Sequence, residues 1–276
     1  PVLERLILGG HQVVAVYTQP DKPVGRGRAV GFSPVKKAAL WHGIRVLQPS
    51  SLGSAAEVEQ LSSFSPDVIV AAAFGQILPK KVLEVPPFGC LNIHPSLLPR
   101  HRGPSPIAGA ILAGDGETGV TIMLMGRGLD TGPIIAQERM LISAQDTGGS
   151  LSAKLAQLGA GLLEETLPRW LSQELVSRPQ DEGAATYTWL ISKEDGLIDW
   201  RMSAQELWRR VRAFNPWPGC YTKWQGRLLR ISRGFTCHGP FGEPGLVVEL
   251  SLGDVVMGVQ AGDGILGILQ IQMEGR

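Results

Sequence analysis

Short apolar runs alternate with amphipathic stretches from the start of the chain to about residue 171, and then the alternation stops. Val2, Leu3, Leu6 and Ile7 recur at helical spacing ahead of Gly9-Gly10, the pattern of a helix ended by glycine. A β-rich run follows at 13–17. Ser33 before Pro34 fits an N-cap and first helical position, opening a helix over 35–41. Strands are expected at 46–48, 67–73, 89–94, 119–125 and 134–139, and helices at 55–61 and 152–171. The 67–73 run is continuously apolar, as in a strand covered on both faces. Strands alternating with helices predict an α/β fold with a doubly wound, mostly parallel sheet.

Past residue 175 the chain is first polar and bears Pro and Gly, as a linker does. A helix is expected at 203–214. Short strands follow at 221–224, 227–231, 245–250, 255–259 and 265–271. That spacing predicts a second, smaller β-barrel domain, an open five-stranded barrel resembling an oligonucleotide-binding fold. The expected organisation is therefore an α/β domain over 1–175, a linker over 176–189 and a C-terminal β-barrel domain over 190–276. The chain starts at Pro1, inside its first helix, and ends directly after a strand. A doubly wound sheet is not expected to begin with a helix, so the sequence reads as a fragment lacking a first, central strand.

Three cysteines in 276 residues cannot make a disulfide framework, which points to a reducing, cytoplasmic setting. The longest apolar run, 68–75, falls far short of the ~18 residues of a membrane span. The near balance of 26 Lys+Arg and 25 Asp+Glu hides two basic segments. Between 20 and 45, Lys22, Arg26, Arg28, Lys36, Lys37 and Arg45 face Asp21 alone. Between 201 and 233, eight arginines and lysines, among them Arg209, Arg210 and Arg212, face Glu206 alone. Such segments suit a local anionic partner or a solvated face. The five His and three Cys lack paired ligand spacing, so no metal is expected.

The chemistry concentrates at 89–103. In an extended strand Asn92 and His94 point to the same face, at the C-terminal end where open α/β sheets place ligands. Asp130, between Gly128 and Gly132, could pair with His94 and favour the imidazolium. An amide donor, a protonated imidazole and a carboxylate suit acyl transfer, with two donors on an oxyanion and a carboxylate to manage the proton. Cys90 shares that strand face, which leaves a Cys/His/Asp nucleophilic arrangement open beside the reading of a small buried thiol.

The run Asn92-Ile93-His94, then Ser96-Leu97-Leu98-Pro99-Arg100, then Gly128-Leu129-Asp130-Thr131-Gly132 resembles the signature of the folate-dependent formyltransferases. Segments 17–27, 33–36, 192–195, 198–200 and 212–218 are similar to the members that act on methionyl-tRNA. The resemblance implies formyl transfer from 10-formyltetrahydrofolate to the amino group of methionyl initiator tRNA. It implies Asn92, His94 and Asp130 as the catalytic trio and Ser96, Leu97, Leu98 and Pro99 as folate contacts. Arg26, Arg28, Lys36, Arg209, Arg210 and Arg212 become the expected tRNA-binding residues of a monomeric enzyme with no membrane partner. The chain departs from the pattern after Gly27, where it is less basic, and at His101, where the family often has Trp. An amino sugar on a nucleotide, a purine precursor or water could serve as acceptor with the same trio.

Overall fold

The computed structural model describes residues 1–24, 29–239, 242–252 and 255–274. The sequence forms α1 (Val2–Leu8), β1 (Val16–Tyr17), β2 (Lys22–Val24), β3 (Ala29–Gly31), α2 (Pro34–Trp41) and β4 (Val46–Leu47). Next come α3 (Ala55–Ser63), β5 (Ile69–Ala71), α4 (Lys80–Leu83), β6 (Cys90–His94), α5 (Pro106–Ala113), β7 (Glu117–Leu124) and β8 (Ile134–Leu141). The long α6 (Gly148–Leu171) precedes α7 (Ala204–Ala213), and five strands close the chain: β9 (Cys220–Trp224), β10 (Arg227–Cys237), β11 (Val247–Leu252), β12 (Val255–Gln260) and β13 (Ile265–Met273). Local chemistry starts the helices. Ser33 Oγ accepts from the Lys36 amide ahead of Pro34. Ser203 and Glu206 form a reciprocal capping box on α7, satisfying donors the first turn leaves open.

The chain divides into two compact units. The first holds Pro1–Arg102, Gly119–Arg139 and Leu155–Tyr187; the second holds Gly103–Thr118, Met140–Lys154 and Thr188–Arg276. In the first, β1 pairs with β4 and β5 with β6, both parallel. β7 runs antiparallel to β6, and β8 flanks β7. The parallel pairing expected from the sequence therefore fails at β6/β7. The helix between those strands, α5, belongs to the second unit and packs on α7 there. It is not a crossover helix of this sheet, so the chain re-enters beside β6 in the opposite direction.

Sequence register positions β6. Its Ile93 side chain lies on the face opposite Asn92 and His94 and meets α6. Leu155, Leu163 and Leu167 form a buried i, i+4 stripe on that helix, and Gly159 occupies the remaining position of the row. A Cβ on Gly159 would stand 2.8 Å from Ile93 Cγ2 and 3.2 Å from Val120 Cγ1. The glycine thus sets how closely α6 backs the strand that carries the candidate site. Elsewhere in this unit β1 and β5 belong to different sheets. An apolar cavity of about 590 Å³ lies between them, with Val13, Ala15, Tyr17, Ile69, Ala71 and Leu167 on its walls.

The second unit carries an antiparallel five-stranded sheet in the order β11-β12-β13-β10-β9, against which α7 packs through β10 and β13. Among the described residues its two edge strands, β11 and β9, do not pair, so the pairing is that of an open sheet. No helix among the described residues is long and apolar enough to cross a membrane.

Replacing Gly159 by Val is expected to cost about 1–3 kcal/mol through overpacking against Ile93 and Val120. Urea denaturation of the two proteins, compared at their midpoints, measures it.

Candidate active site

β6 brings Asn92 and His94 to its C-terminal end, with Asn92 opposite Met123 and His94 opposite Thr121 in the register with β7. His94 is 4% exposed. Its Nε2 stands 2.9 Å from the His101 carbonyl. A carbonyl can only accept, so Nε2 carries the hydrogen and donates it. Nδ1 then faces Asp130, 3.7 Å from Oδ1. Asp130 takes a positive φ of 51°, a conformation uncommon outside glycine, and this turns its carboxylate toward the ring. Burial pushes the His94 pKa below the ordinary imidazole value, and the Asp130 carboxylate and the His101 carbonyl oppose the shift. The resting ring is therefore neutral at pH 7, and the imidazolium expected from the sequence forms only when a proton is delivered to Nδ1. Asn92 is half-buried, and its side-chain amide has no hydrogen-bond partner among the described residues.

The stretch after β6 is held by residues the motif reading did not single out. The Thr121 hydroxyl donates to the Ser96 carbonyl at 2.7 Å and accepts from the Leu98 amide at 3.1 Å. Gln137 Nε2 donates to the Leu98 carbonyl and to Thr121 Oγ1, at 2.8 and 2.9 Å. Leu98 buries its side chain with Met123 and Ile134, so its backbone and side chain are both engaged internally. Ser96 donates its hydroxyl to the Arg100 carbonyl. Leu97 and Pro99 remain partly exposed. Thr121 and Gln137 sit on strands β7 and β8, and neither burial pattern alternates in a way that marks them.

Within the 176–189 stretch expected as a linker, residues 178–187 make a run of bonds inside the first unit. Arg178 exchanges backbone hydrogen bonds with Ile134, and its Nη2 donates to Gln137 Oε1 at 2.6 Å. Thr186 accepts from the Arg102 amide through its carbonyl and from the His101 amide through its hydroxyl, both at 2.8 Å. That second bond fixes the segment whose carbonyl orients His94.

Cys90 lies deep on β6 among Leu52, Leu61, Leu78 and Val82. Burial pushes its thiol up to about 12, which removes the thiolate a nucleophile requires. No group of three or more metal-ligating side chains occurs among the described residues.

Of the expected tRNA contacts, Arg26 and Arg28 lie outside the described residues. Lys36 donates to Asp21 and to Gln48, the latter at 2.6 Å, and sits 4.0 Å over the Phe32 ring. In the second unit Arg209 donates to the Ala113 carbonyl and Arg210 to that of Asp195. Arg212 donates to the carbonyls of Asp146 and Ser143 and stacks 4.3 Å over Trp208. Each of these four described cations gives at least one donor to the protein itself.

Family models match both parts of the chain. The formyl transferase model matches residues 1–167, and the formyl transferase C-terminal domain model matches residues 190–276. The chain is 47% identical to a methionyl-tRNA formyltransferase of Chloroflexus aggregans over 275 residues, 99% of this chain and 89% of the relative. It is 48% identical to one of Myxococcus xanthus over 264 residues, 96% and 84% of the two chains. Among solved structures, WlaRD, a sugar 3-N-formyltransferase crystallised with dTDP and 5-N-formyl-THF, superposes with a TM-score of 0.70 at 19% identity. That match covers 100% of this chain and 93% of the other, and it speaks to the fold.

His94 should titrate below about 6.5, and lower still in Asp130→Asn, because the carboxylate is what opposes the burial shift. An NMR titration of the ring nitrogens in both proteins checks this. The folded protein binds this proton less readily than the unfolded chain. The His94 contribution to stability is accordingly intact above about pH 6.5 and declines as the pH falls below it.

Proposed function

Since the chain belongs to the formyl transferase family, we propose from that premise how its residues carry out the reaction. The reaction is folate-dependent transfer of a formyl group to the amino group of methionyl initiator tRNA, a step that serves translation initiation. The donor is 10-formyltetrahydrofolate, held on one side by the 96–99 stretch through the exposed parts of Leu97 and Pro99.

The neutral methionyl amine attacks the formyl carbon, forming the new C–N bond and pushing the carbonyl electrons onto oxygen. The free amide of Asn92 donates to that oxyanion. The amine proton passes to Nδ1 of His94, whose Nε2–H is already committed to the His101 carbonyl. Asp130, 3.7 Å away, stabilises the imidazolium so formed. Nδ1 then returns the proton to the folate nitrogen as its bond to carbon breaks, and the oxyanion collapses to the formamide. The products are formylmethionyl-tRNA and tetrahydrofolate, with no covalent enzyme intermediate. The observation that carries this assignment is the division of the His94 ring, with Nε2 tied to a carbonyl and Nδ1 facing a carboxylate.

Residues 1–175 serve as the catalytic domain, 176–189 join the two, and 190–276 form the RNA-facing domain. Five antiparallel strands, with register shifts in β10 between Ile231 and Gly234, support the curvature of an oligonucleotide-binding-type barrel for the last of these. Arg26, Arg28, Lys36, Arg209, Arg210 and Arg212 contact the tRNA phosphates, the last four through the donors that their internal bonds leave over. The enzyme works as a cytoplasmic monomer.

His94→Ala should lower the formylation rate with charged initiator tRNA by about 10²–10⁴, the range for loss of a positioned acid–base group, whereas Cys90→Ala should leave it unchanged. A near-normal single-turnover rate in His94→Ala would overturn the assignment. Binding of tRNA should weaken steeply with salt while folate binding does not. Removing one phosphate-contacting arginine should reduce the salt slope by about one.

A further inference from the structure

We propose that Gln180 is a positioning residue for the reaction: it holds the loop that aims Asp130 at His94, and the buried guanidinium of Arg102 fixes its orientation. The inference rests on the assignment of Asn92, His94 and Asp130 given above. Gln180 stands 50 residues from Asp130 in the chain, in the stretch whose composition reads as a linker.

The side-chain amide of Gln180 has two N–H donors and one oxygen with two acceptor positions, and all four are used. Nε2 donates to the Asp130 carbonyl and to the Gly132 carbonyl, both at 2.7 Å. Oε1 accepts from Arg102 Nε at 3.0 Å and Arg102 Nη2 at 2.8 Å. Arg102 settles which way the amide points. A guanidinium offers donors only, so the oxygen must face it and the NH₂ must face the loop. Arg102 has no exposed surface, and its five N–H groups are all engaged. Besides the bonds to Gln180, Nη1 and Nη2 pair with the two Glu182 carboxylate oxygens at 2.8 Å each, and Nη1 reaches the Tyr187 hydroxyl at 3.3 Å. The arginine therefore cannot turn to release Gln180 without stranding a buried charge.

The loop gains its conformation from this grip. Asp130 has its positive φ between two glycines, and at Gly132 a Cβ would fall 1.7 Å from the Leu124 carbonyl oxygen. The loop is thus pressed against β7 on one side and bonded to Gln180 through the carbonyls of Asp130 and Gly132. Where those two carbonyls sit determines where the Asp130 carboxylate lies, and so the 3.7 Å separation from His94 Nδ1. Glutamate would keep the acceptor for Arg102 and lose both donors, which makes the amide, rather than a charged group of equal size, the side chain this position requires.

The test uses the full chain and a double-mutant cycle. Gln180→Met should lower kcat for formylation of methionyl initiator tRNA at least tenfold while the KM values for tRNA and folate change less than twofold. The His94 NMR titration should move down, as in Asp130→Asn. In an Asp130→Asn background Gln180→Met should add nothing to either readout, since the group it positions is gone. If Gln180→Met does not fold, Gln180→Glu, which keeps the contacts to Arg102, is read by the same kcat loss and the same disappearance of that loss beside Asp130→Asn. A kcat loss that persists undiminished in the Asp130→Asn background, or a His94 titration unmoved by Gln180→Met, overturns the proposal. Should Asp130→Asn itself alter neither kcat nor the titration, the catalytic assignment fails, and the inference with it. An active Asp130→Asn effect beside an inert Gln180→Met defeats the positioning role alone.

Discussion

A guanidinium with no exposed surface has to find all its partners inside the protein, and the arrangement around the candidate site follows from how Arg102 meets that demand. Arg102 stands eight positions after His94, where the chain has just left β6, and its partners lie at Gln180, Glu182 and Tyr187. Satisfying one buried charge thus draws the 178–187 stretch across the end of the sheet. Once there, the stretch supplies Arg178 to Gln137 and Thr186 to His101. Charge-assisted hydrogen bonds are the stronger kind. Hydrogen bonds donated to the Glu182 carboxylate raise the Arg102 pKa further, and the same contact lowers that of Glu182. The contact thus favours the charged form of both partners.

Electrostatics divides the buried residues of β6 by the groups that surround them. Cys90 and His94 are two alternations apart on one strand and both buried. Cys90 has only apolar neighbours and a distant carbonyl, so burial leaves it an inert thiol. His94 has a carboxylate on one nitrogen and a carbonyl on the other, so burial leaves it neutral yet able to take a proton where one is offered. The same separation applies to the basic segments. Lys36, Arg210 and Arg212 read as free positive charge in the sequence, yet each spends donors on carbonyl, amide or carboxylate oxygens of its own chain.

What was legible in the sequence was local. Ser33-Pro34 and Ser203…Glu206 announce their helices because a cap is a short-range hydrogen bond. Asn92 and His94 could be placed on one strand face because alternation is a property of the backbone, and the match of residues 1–167 to the formyl transferase model agrees with the motif resemblance. The unread parts depend on distant partners. The reversal of β7 arises because α5 packs elsewhere, which no periodicity records. Thr121 and Gln137 act through hydroxyl and amide groups whose partners lie 16 to 41 residues away. Residues 178–187 look like a linker because they have no apolar period, yet a strap held by side-chain hydrogen bonds needs none. The resting charge of His94 escapes a motif reading because a neighbouring carboxylate is visible in a motif and burial is not.

Two apolar clusters flank the gap between β1 and β5. Leu3, Val16 and Ala39 form one buried cluster with Ile7, Val13, Ile44 and Val46 around it, and Leu52, Leu61, Leu78, Val82 and Cys90 form another. Among the described residues no strand pairing ties β1 to β5 across the cavity. Cooperativity in a sheet is transmitted through its hydrogen-bonded ladder and continuous packing. Side chains rather than a ladder bridge the two clusters: Tyr17 of β1 packs on the Cys90 cluster, Gln19 Nε2 donates to the Phe74 carbonyl at 2.9 Å and Gln76 Nε2 to that of Pro49 at 3.2 Å, so an opening of the α1–β4 region has to break contacts that reach the cluster behind β6.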